Sequence, residues 1–261
     1  MKRRKPKLTQ QGRHAQILAL LRHEGTVRIA TLAETFAVTT ETARRDLDEL
    51  AASGALKRTY GGVASRSLID EPALGDRGRT HSAERATLAR KAASLVESGD
   101  ALMIDGGSTT RAFAHALAMR ELHITVVTNC LPVARALGAN PNCRILICPG
   151  NYVAREEGTY GADVIDYLRR FKANKAFIGA GGITTGGVTD ADSQSCSIKR
   201  AMAERADETF LLVDRSKYDQ VQFERVCALS DLDTLVSEAA PPKRLAASLK
   251  HAGVRVIIAS T

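Results

Sequence analysis

The sequence predicts an α/β protein in two parts: a small N-terminal domain of three helices and a wing, and a larger doubly wound, mainly parallel α/β domain. Three helical patterns separated by short turns fill most of the first 54 residues. From about residue 82 onward, short apolar strands alternate with helices, which is typical of a parallel sheet. A chain of 261 residues is long enough for two such domains.

The excess of positive charge lies at the N-terminus. The net charge is +8, and residues 1–60 contribute +6 of it, with 12 Lys and Arg against 6 Asp and Glu. This asymmetry indicates an acidic partner, of which nucleic acid is the common one, although a solvated basic tail has the same composition. Residues 1–12 are predicted to be a basic tail, either an arm that contacts phosphates or a disordered extension.

The first two helices follow from apolar residues at helical spacing. The spacing predicts a helix over residues 13–24 that ends at Gly25, and a second helix over residues 28–36. Ala37 and Val38 then form a tight turn. This short connection is typical of a helix-turn-helix.

The third helix is predicted over residues 39–53, with Thr39 as its N-cap and Gly54 at its C-terminal end. The face of this helix that lies opposite its apolar stripe carries two adjacent arginines, Arg44 and Arg45. They supply the donors that major-groove recognition needs. An ordinary surface helix with ion pairs between residues four apart fits the same pattern. An apolar stripe packs on the first two helices and consists of Ala43, Leu47 and Leu50.

A basic strand after Gly54 runs into a Gly61-Gly62 turn and is predicted to be a wing. Three helices, a turn and a wing in this order predict a winged helix-turn-helix over residues 13–62 that binds double-stranded DNA. The predicted DNA-binding residues are Thr39, Thr40, Glu41, Thr42, Arg44, Arg45, Lys57 and Arg58.

Three stretches of this domain resemble the helix-turn-helix of the DeoR family of transcriptional regulators. The family usually has Ser at the position of Thr39 and Ile at the position of Ala43, where this chain has a smaller core contact. The stretches are Arg13-x-x-x-Ile17, Leu32-Ala33-x-x-Phe36-x-Val38-Thr39-x-x-Thr42-Ala43-Arg44-Arg45-Asp46-Leu47 and Leu50-x-x-x-Gly54-x-Leu56-x-Arg58-x-x-Gly61-Gly62.

Residues 63–80 are predicted to be an interdomain linker, because Pro72, Gly75 and Gly78 break any regular pattern. Arg77 is either an anchor of this linker or a solvated charge. The remaining residues, 81–261, are predicted to form the effector-binding and oligomerisation domain. Its predicted strands are 101–104, 124–128, 144–148, 175–179, 209–213 and 255–259, with a further strand within 225–236, and its predicted helices are 82–97, 110–118, 131–138, 161–170, 194–206 and 241–250.

Polar or glycine-rich loops follow the predicted strands, where ligands of doubly wound sheets bind. The loop Asp105-Gly106-Gly107-Ser108-Thr109-Thr110 leads into a helix, and such a helix start with close backbone approach suits a phosphate group. Lys217 is the cation best placed for the same phosphate, although a solvated loop lysine is an equal alternative. The predicted effector-binding residues are Asp105, Gly107, Ser108, Thr109, Thr110, Thr128, Asn129, Gly181, Gly182 and Lys217.

The resemblance to the DeoR family extends over this domain and covers about residues 13–238. It implies a fold similar to ribose-5-phosphate isomerase, a phosphorylated sugar or polyol as effector, and a homo-oligomer, either dimer or tetramer. The family often has Gly-Gly at Pro149-Gly150 and Glu-Ala at Gln194-Ser195, so the identity of the ligand stays open. The motifs are Asp105-x-Gly107-Ser108-Thr109-Thr110, Thr128-Asn129, Gly161, Ala176-Phe177-Ile178-Gly179, Lys199-Arg200-Ala201-Met202 and Asp214-x-Ser216-Lys217.

Several other functions are disfavoured. The sequence has no Gly-Lys-Ser/Thr for a Walker A loop, and Gly179-x-Gly181 does not open a helix as a dinucleotide fingerprint does. Scattered histidines and five cysteines without close pairing predict no metal site, no cofactor and free thiols. No apolar stretch reaches membrane-spanning length and no signal segment follows the basic N-terminus, so we expect a cytoplasmic protein.

Three functional hypotheses remain. The first is a repressor of a sugar or polyol catabolic operon that a phosphorylated intermediate releases from DNA, and that is not an enzyme. The second is a sugar-phosphate isomerase with a DNA-binding appendage, in which Asp105, Asp190 or Asp192 would be the base. The third is a constitutive DNA-binding protein whose α/β domain only oligomerises.

Overall fold

A computed structural model describes residues 9–24, 26–52, 56–59, 62–65, 73–77 and 81–259. The chain forms two compact units, residues 1–70 and residues 71–261. Most of the predicted basic tail lies outside the described residues. The same holds for Gly54, Gly61 and most of the predicted linker.

The N-terminal unit is a winged helix-turn-helix, as the sequence predicts. Its three strands form an antiparallel sheet in the order β1-β3-β2. The short strand β1 was not expected from the sequence, and β3 continues to Ser65, past the predicted domain end at residue 62. The elements are α1 (Gln10–Glu24), β1 (Thr26–Arg28), α2 (Ile29–Phe36), α3 (Thr40–Ala52), β2 (Leu56–Thr59) and β3 (Gly62–Ser65).

One apolar core holds this unit together, with α1, α2, α3 and the sheet all contributing. The predicted stripe of α3 is buried, since Ala43, Leu47 and Leu50 are each at most 6% exposed. Burying a leucine side chain, such as that of Leu47 or Leu50, stabilises the fold by roughly 1.5–3 kcal/mol. The stripe therefore fixes which face of α3 remains outside.

The C-terminal unit is built on strands that alternate with helices. Short 3₁₀ helices lie at Arg215–Lys217 and Leu229–Asp231. The helices are α4 (Leu74–Arg77), α5 (Ser82–Ala93), α6 (Ser108–Ala118), α7 (Leu131–Leu137), α8 (Ala162–Arg169), α9 (Ser193–Glu204) and α10 (Lys243–His251). The strands are β4 (Ala101–Ile104), β5 (Ile124–Thr128), β6 (Cys143–Ile147), β7 (Asn151–Val153), β8 (Gly158–Tyr160), β9 (Ala173–Ile178), β10 (Gly182–Thr184), β11 (Gly187–Asp190), β12 (Ala206–Leu212), β13 (Glu224–Cys227), β14 (Thr234–Ser237) and β15 (Arg255–Ile258).

Seven of these strands form one wholly parallel sheet in the order β15-β14-β12-β9-β4-β5-β6. The chain starts at β4 in the middle, runs outward to β6, and then returns to β9 on the other side of β4. The point where the strand order reverses therefore lies between β4 and β9, where doubly wound sheets bind ligands. Two smaller antiparallel pairings accompany the sheet, β10-β11-β13 and β7-β8.

Both faces of the parallel sheet are covered by apolar side chains, as wholly parallel sheets require. On one face, Phe113 of α6 packs against Phe177 of β9 with ring centroids 4.3 Å apart, and Phe177 stacks on Phe210 of β12 at 4.8 Å. The opposite face buries Met103 and Ala176 against α8 and α9. The aromatic row anchors α6 beside the point where the strand order reverses.

The predicted elements of this unit are present. Two strands, 101–104 and 124–128, have the predicted bounds, and the ends of the others differ by at most four residues. The segment 225–236, in which the sequence predicts a further strand, contains most of β13 and most of β14, so it adds two strands rather than one. The hairpin of β7 and β8 was not predicted, because those strands are only three residues each. Among the described residues, no helix has the length and apolar character needed to cross a membrane.

Candidate DNA-binding and effector sites

Helix α3 is capped as the sequence predicts. The Thr39 hydroxyl accepts from the backbone N–H of Thr42 at 3.1 Å, and the two threonine hydroxyls lie 2.9 Å apart. Acceptance by the N-cap side chain satisfies one of the four N–H groups that a helix start leaves without a partner. The cap fixes where α3 begins and hence which residues lie in its first turn.

The outer face of α3 is polar and exposed. Thr40, Glu41, Arg44 and Arg45 are all exposed, while Thr42 is half-buried. The nearest oxygen of Glu41 lies 3.6 Å from Nε of Arg45, an ion pair between residues four apart of the kind that an ordinary surface helix carries. An exposed pair of this kind contributes little to stability, so Arg45 is available to another anion.

A buried ion pair ties α1 to α3. Arg13 donates to both carboxylate oxygens of Asp46, at 2.6 Å and 2.9 Å, and Asp46 is 2% exposed. The side-chain hydrogen bond to Asp46 raises the pKa of Arg13. This bidentate contact sets the rotation of α3 relative to α1.

The wing is present as a backbone hairpin of β2 and β3. Lys57 and Arg58 lie in β2, and their side chains lie outside what the structure describes. Their predicted contact with DNA stays a prediction.

In the C-terminal unit, a cavity opens at the carboxyl ends of β4 and β9. We call it the switch-point cavity. It brings together the loop after β4, the start of α6, the loop after β9, and side chains of α4, β11, α9 and the segment after β12. The lining residues are Arg77, Gly106, Gly107, Ser108, Thr109, Glu156, Gly179, Ala180, Asp190, Ser195, Lys199 and Lys217.

A buried charge cluster forms the floor of this cavity. The Lys199 ammonium lies 2.8 Å from Oδ2 of Asp105 and 3.2 Å from Oδ2 of Asp190, and the exposed fractions of the three side chains are 5%, 1% and 8%. Gly179 N–H donates to the Asp105 carboxylate at 3.2 Å. Asp105 therefore links the ends of β4 and β9 across the reversal of strand order.

The cluster keeps Lys199 charged. Burial lowers the pKa of the Lys199 ammonium, but the carboxylates of Asp105 and Asp190 outweigh burial and raise the pKa well above its ordinary value. Burial raises the pKa of Asp105, although the Lys199 ammonium opposes that rise. A lysine held between two carboxylates is fixed in position and orients the cavity floor.

One side of the cavity is suited to an anion. Gly107, in extended conformation, precedes α6, so the N–H groups of Ser108 and Thr109 lie in a first helical turn that has no internal acceptors. Such a helix start carries partial positive charge and favours phosphate. Lys217 lies at the same cavity.

The same cavity also carries acceptors. Glu156, Asp190 and the Ser195 hydroxyl line it, and Arg77 forms an ion pair with Glu156. Carboxylate and hydroxyl oxygens accept from the hydroxyl groups of a polyol. Ser195 occupies one of the positions at which the sequence departs from the pattern of the DeoR family.

Four of the ten predicted effector-binding residues line the cavity, namely Gly107, Ser108, Thr109 and Lys217. Four others lie beneath it, fully or almost fully buried, and hold its loops. Thr110 donates to the Gly107 carbonyl at 3.1 Å, Thr128 accepts from the Cys130 N–H, and Asn129 donates to the Thr159 carbonyl. Asp105 belongs to the charge cluster described above.

Gly181 and Gly182 lie at the start of β10 rather than at the cavity wall. The Gly181 N–H donates to the Thr189 carbonyl at 3.1 Å. A Cβ atom at Gly182 would collide with the backbone carbonyl of Gln220. Both glycines permit close packing of β10 against the segment that follows Lys217, and their predicted contact with an effector stays a prediction.

Five polar side chains that line the cavity are absent from the predicted effector-binding residues, namely Arg77, Glu156, Asp190, Ser195 and Lys199. The sequence suggested Asp190 only as a possible isomerase base. A signal for Lys199 exists in the sequence of α9. Cys196 and Met202, three residues to either side, are both fully buried, so Lys199 occupies an apolar stripe where a lysine needs a carboxylate partner. The other four come from segments whose meeting depends on the tertiary fold.

These features define a DNA-binding protein with a helix-turn-helix unit and a separate α/β unit that carries a ligand cavity. Family models assign both parts: the DeoR-like helix-turn-helix domain matches residues 13–68, and the DeoR C-terminal sensor domain matches residues 80–239. The chain belongs to the DeoR family. The predicted function, a DNA-binding transcriptional regulator of this family, is confirmed.

Named relatives match over most of the chain. The glycerol-3-phosphate regulon repressor of Escherichia coli is 33% identical over 90% of this chain and 93% of its own length. The transcriptional regulator IolR of Bacillus subtilis is 34% identical over 74% of this chain and 77% of its own. Among solved structures, ribose 5-phosphate isomerase A of Methanocaldococcus jannaschii is 17% identical with a TM-score of 0.40, covering 53% of this chain and 55% of the isomerase.

Proposed function

We propose that this chain is a repressor that a phosphorylated sugar or polyol releases from its DNA operator, and that the switch-point cavity binds this effector. The observation that carries the proposal is the polarity of the cavity. Ser108, Thr109 and Lys217 supply anion donors, while Glu156 and Asp190 supply acceptors. A molecule that carries both a phosphate and hydroxyl groups matches this lining.

We further propose that the outer face of α3 contacts the operator through Thr39, Thr40, Glu41, Thr42, Arg44 and Arg45, assisted by Lys57 and Arg58 of the wing. Exposure of the two α3 arginines supports this placement. Two such helices on paired half-sites require a homo-oligomer, either a dimer or a tetramer. Because its partner is DNA, we place its action in the cytoplasm.

Binding without turnover is the role that we infer for the cavity. An aldose–ketose isomerase needs a carboxylate base beside the substrate carbon. Asp105 is fully buried, and Asp190 both accepts from the Ala191 N–H at 2.7 Å and contacts Lys199. Asp192, the third candidate base, caps α9 by accepting from a backbone N–H at 2.7 Å. All three carboxylates are thus engaged in holding the fold. Conversion of ribose 5-phosphate at an ordinary enzymatic rate would overturn this inference.

The test begins with a thermal-shift screen of the full chain against phosphorylated sugars and polyols, each paired with its unphosphorylated parent. The name of the E. coli relative makes glycerol 3-phosphate and glycerol the first pair. A ligand that binds only the folded protein raises its midpoint of unfolding. We expect a shift with one phosphate ester and none with its parent.

The second step measures DNA binding. Operator sequences are selected from a random DNA library, and their affinity is measured with and without the ester that gave a shift. We expect the ester to weaken binding, and Lys217→Gln to reduce that effect while leaving DNA affinity without ester unchanged. Operator affinity that no ester changes would contradict the proposal and favour a constitutive DNA-binding protein.

A further inference from the structure

A second pocket lies outside the switch-point cavity, between the faces of α5, α6 and α7. We call it the helix-face pocket, and its volume is about 200 Å³. Each of the three helices contributes to its wall, and α6 packs against both α5 and α7. Its polar lining residues are Ser82, Arg85, Ser108, Arg111, His115 and Arg135.

The spacing of these residues shows that the pocket is a regular feature of three helix surfaces. Ser108, Arg111 and His115 follow one another on α6 at intervals of three and four residues, so they share one face. Ser82 and Arg85 stand three residues apart on α5. Arg135 projects from the last turn of α7. Three helix faces thus converge with cationic or hydroxyl groups.

The positive charge of this pocket is not balanced by carboxylates within it. No acidic side chain is among the described residues that line it. Arg85 is 5% exposed and is held by Asp214, at 3.2 Å from Nε, and by the Arg77 carbonyl, at 2.6 Å from Nη1. For Arg111 and Arg135, no carboxylate oxygen within 4.0 Å is found in the part of the chain that the structure describes.

The arginines of this pocket are open to an anion from solvent, since Arg135 is exposed and Arg111 is half-buried. Arginine side chains present planar sets of donors that match the oxygens of phosphate. A volume of about 200 Å³ accommodates a single phosphate group with bound water.

We propose that the helix-face pocket is a second anion-binding site, and that it binds a phosphate-class anion through Arg111, Arg135 and Ser108. Ser108 lines both this pocket and the switch-point cavity, so the two sites meet at the first turn of α6. The anion is either a second phosphate group of the effector or a separate phosphorylated molecule.

The test uses inorganic phosphate as the probe and titration calorimetry of the full chain at constant ionic strength, with chloride as the reference anion. We expect two phosphates per wild-type chain. The double variant R111Q/R135Q should lose one of them, with at least a tenfold weaker affinity at that site, and K217Q should weaken the other. Arg90→Gln is the matched control, because Arg90 is an exposed arginine of α5 outside the pocket.

Unchanged phosphate binding by R111Q/R135Q would overturn the proposal. If the wild type binds one phosphate that only K217Q weakens, the helix-face site fails and the proposed effector cavity stands. If only R111Q/R135Q weakens it, the helix-face site stands and the proposed effector cavity fails. Binding no stronger than that of chloride would reject both sites.

A matched pair of esters then separates the two sources of the anion. If the second phosphate belongs to the effector, glucose 1,6-bisphosphate should bind the wild type at least tenfold more tightly than glucose 6-phosphate, and R111Q/R135Q should remove that difference. If the anions are separate molecules, glucose 6-phosphate and inorganic phosphate should bind together to the wild type. Failure of both patterns counts against the helix-face site.

Discussion

Cationic side chains occupy contrasting environments in the two units. In the helix-turn-helix unit, the Arg45 side chain is 77% exposed and its recorded carboxylate contact, to Glu41, is at 3.6 Å on the same helix surface. In the α/β unit, the Lys199 side chain is 5% exposed and lies 2.8 Å and 3.2 Å from two buried carboxylates. An exposed cation exchanges its weak partner for a phosphate at little cost, whereas a buried and paired cation holds other groups in place.

The same contrast holds within the helix-turn-helix unit. The Arg13 side chain is 14% exposed and is bound to the Asp46 carboxylate, whose side chain is 3% exposed. Arg44 and Arg45, on the outer face of α3, are exposed to solvent. Arg13 thus fixes the position of α3 against α1, whereas Arg44 and Arg45 are open to a ligand in solvent. Burial therefore decides whether an arginine of this unit supports the fold or is open to a ligand.

The largest effect should follow from removing the buried cation. Lys199→Met leaves Asp105 and Asp190 without their shared partner, and an uncompensated buried charge costs about 3–5 kcal/mol. We expect this loss in the free energy of unfolding, measured by urea denaturation of the full chain. Lys172→Met is the control, since the Lys172–Asp207 pair has a similar 2.8 Å distance but is more than half exposed. It should cost under about 1 kcal/mol; equal losses would break the comparison.

The next effect concerns DNA. Arg44→Gln and Arg45→Gln should each weaken operator binding by about 10- to 100-fold, because an arginine contact with a base or phosphate contributes about 1–3 kcal/mol. Stability should stay unchanged, since both side chains are exposed. Arg169→Gln removes the same charge from an exposed helix of the other unit and should leave affinity unaltered. Wild-type operator affinity in both α3 variants would show that these arginines do not contact DNA.

A smaller effect is expected at the helix cap. Thr39→Ala removes the acceptor for the Thr42 N–H and should cost about 1 kcal/mol of stability. Thr39→Ser keeps the hydroxyl and should retain most of that stability. Thermal unfolding of the two variants side by side measures the difference. Identical midpoints would mean that the cap contributes nothing beyond what the tertiary core supplies.

The smallest effect should depend on pH, being present at pH 6 and fading in acid. Burial favours the neutral form of Asp214, but the Ser216 hydroxyl, Lys217 and Arg85 outweigh burial and lower its pKa. A carboxyl with a lowered folded-state pKa contributes stability above its ordinary pKa of about 3.9, and loses it as the pH falls toward the folded value. Ser216→Ala should therefore lower the urea midpoint at pH 6, and its difference from the wild type should shrink as the pH falls to 3. A difference that is the same at pH 6 and at pH 3 would show that the Ser216 hydroxyl does not favour the ionised form.

Local patterns predicted most of the elements. Apolar residues at helical spacing in three successive segments indicate three helices with one common core. One residue from each helix, Ile17, Leu32 and Leu47, is fully buried. Alternating strands and helices after residue 82 predict the parallel sheet, because parallel strands that follow one another along the chain need a crossover connection, which is usually a helix. Strands of three residues, such as β1 and β7, escaped prediction because so short a segment has no measurable period.

By itself, the sequence determined the family, the two domains and the loop at the start of α6, because each depends on residues that are close along the chain. The tertiary structure alone decided which side chains meet at the cavity. Arg77, Glu156, Asp190 and Lys199 come from segments as much as 122 residues apart, and the order of strands in the sheet brings them to one edge. It also decided that Asp105 is a buried support rather than an open ligand contact, since burial depends on what packs above a residue and not on its neighbours in sequence.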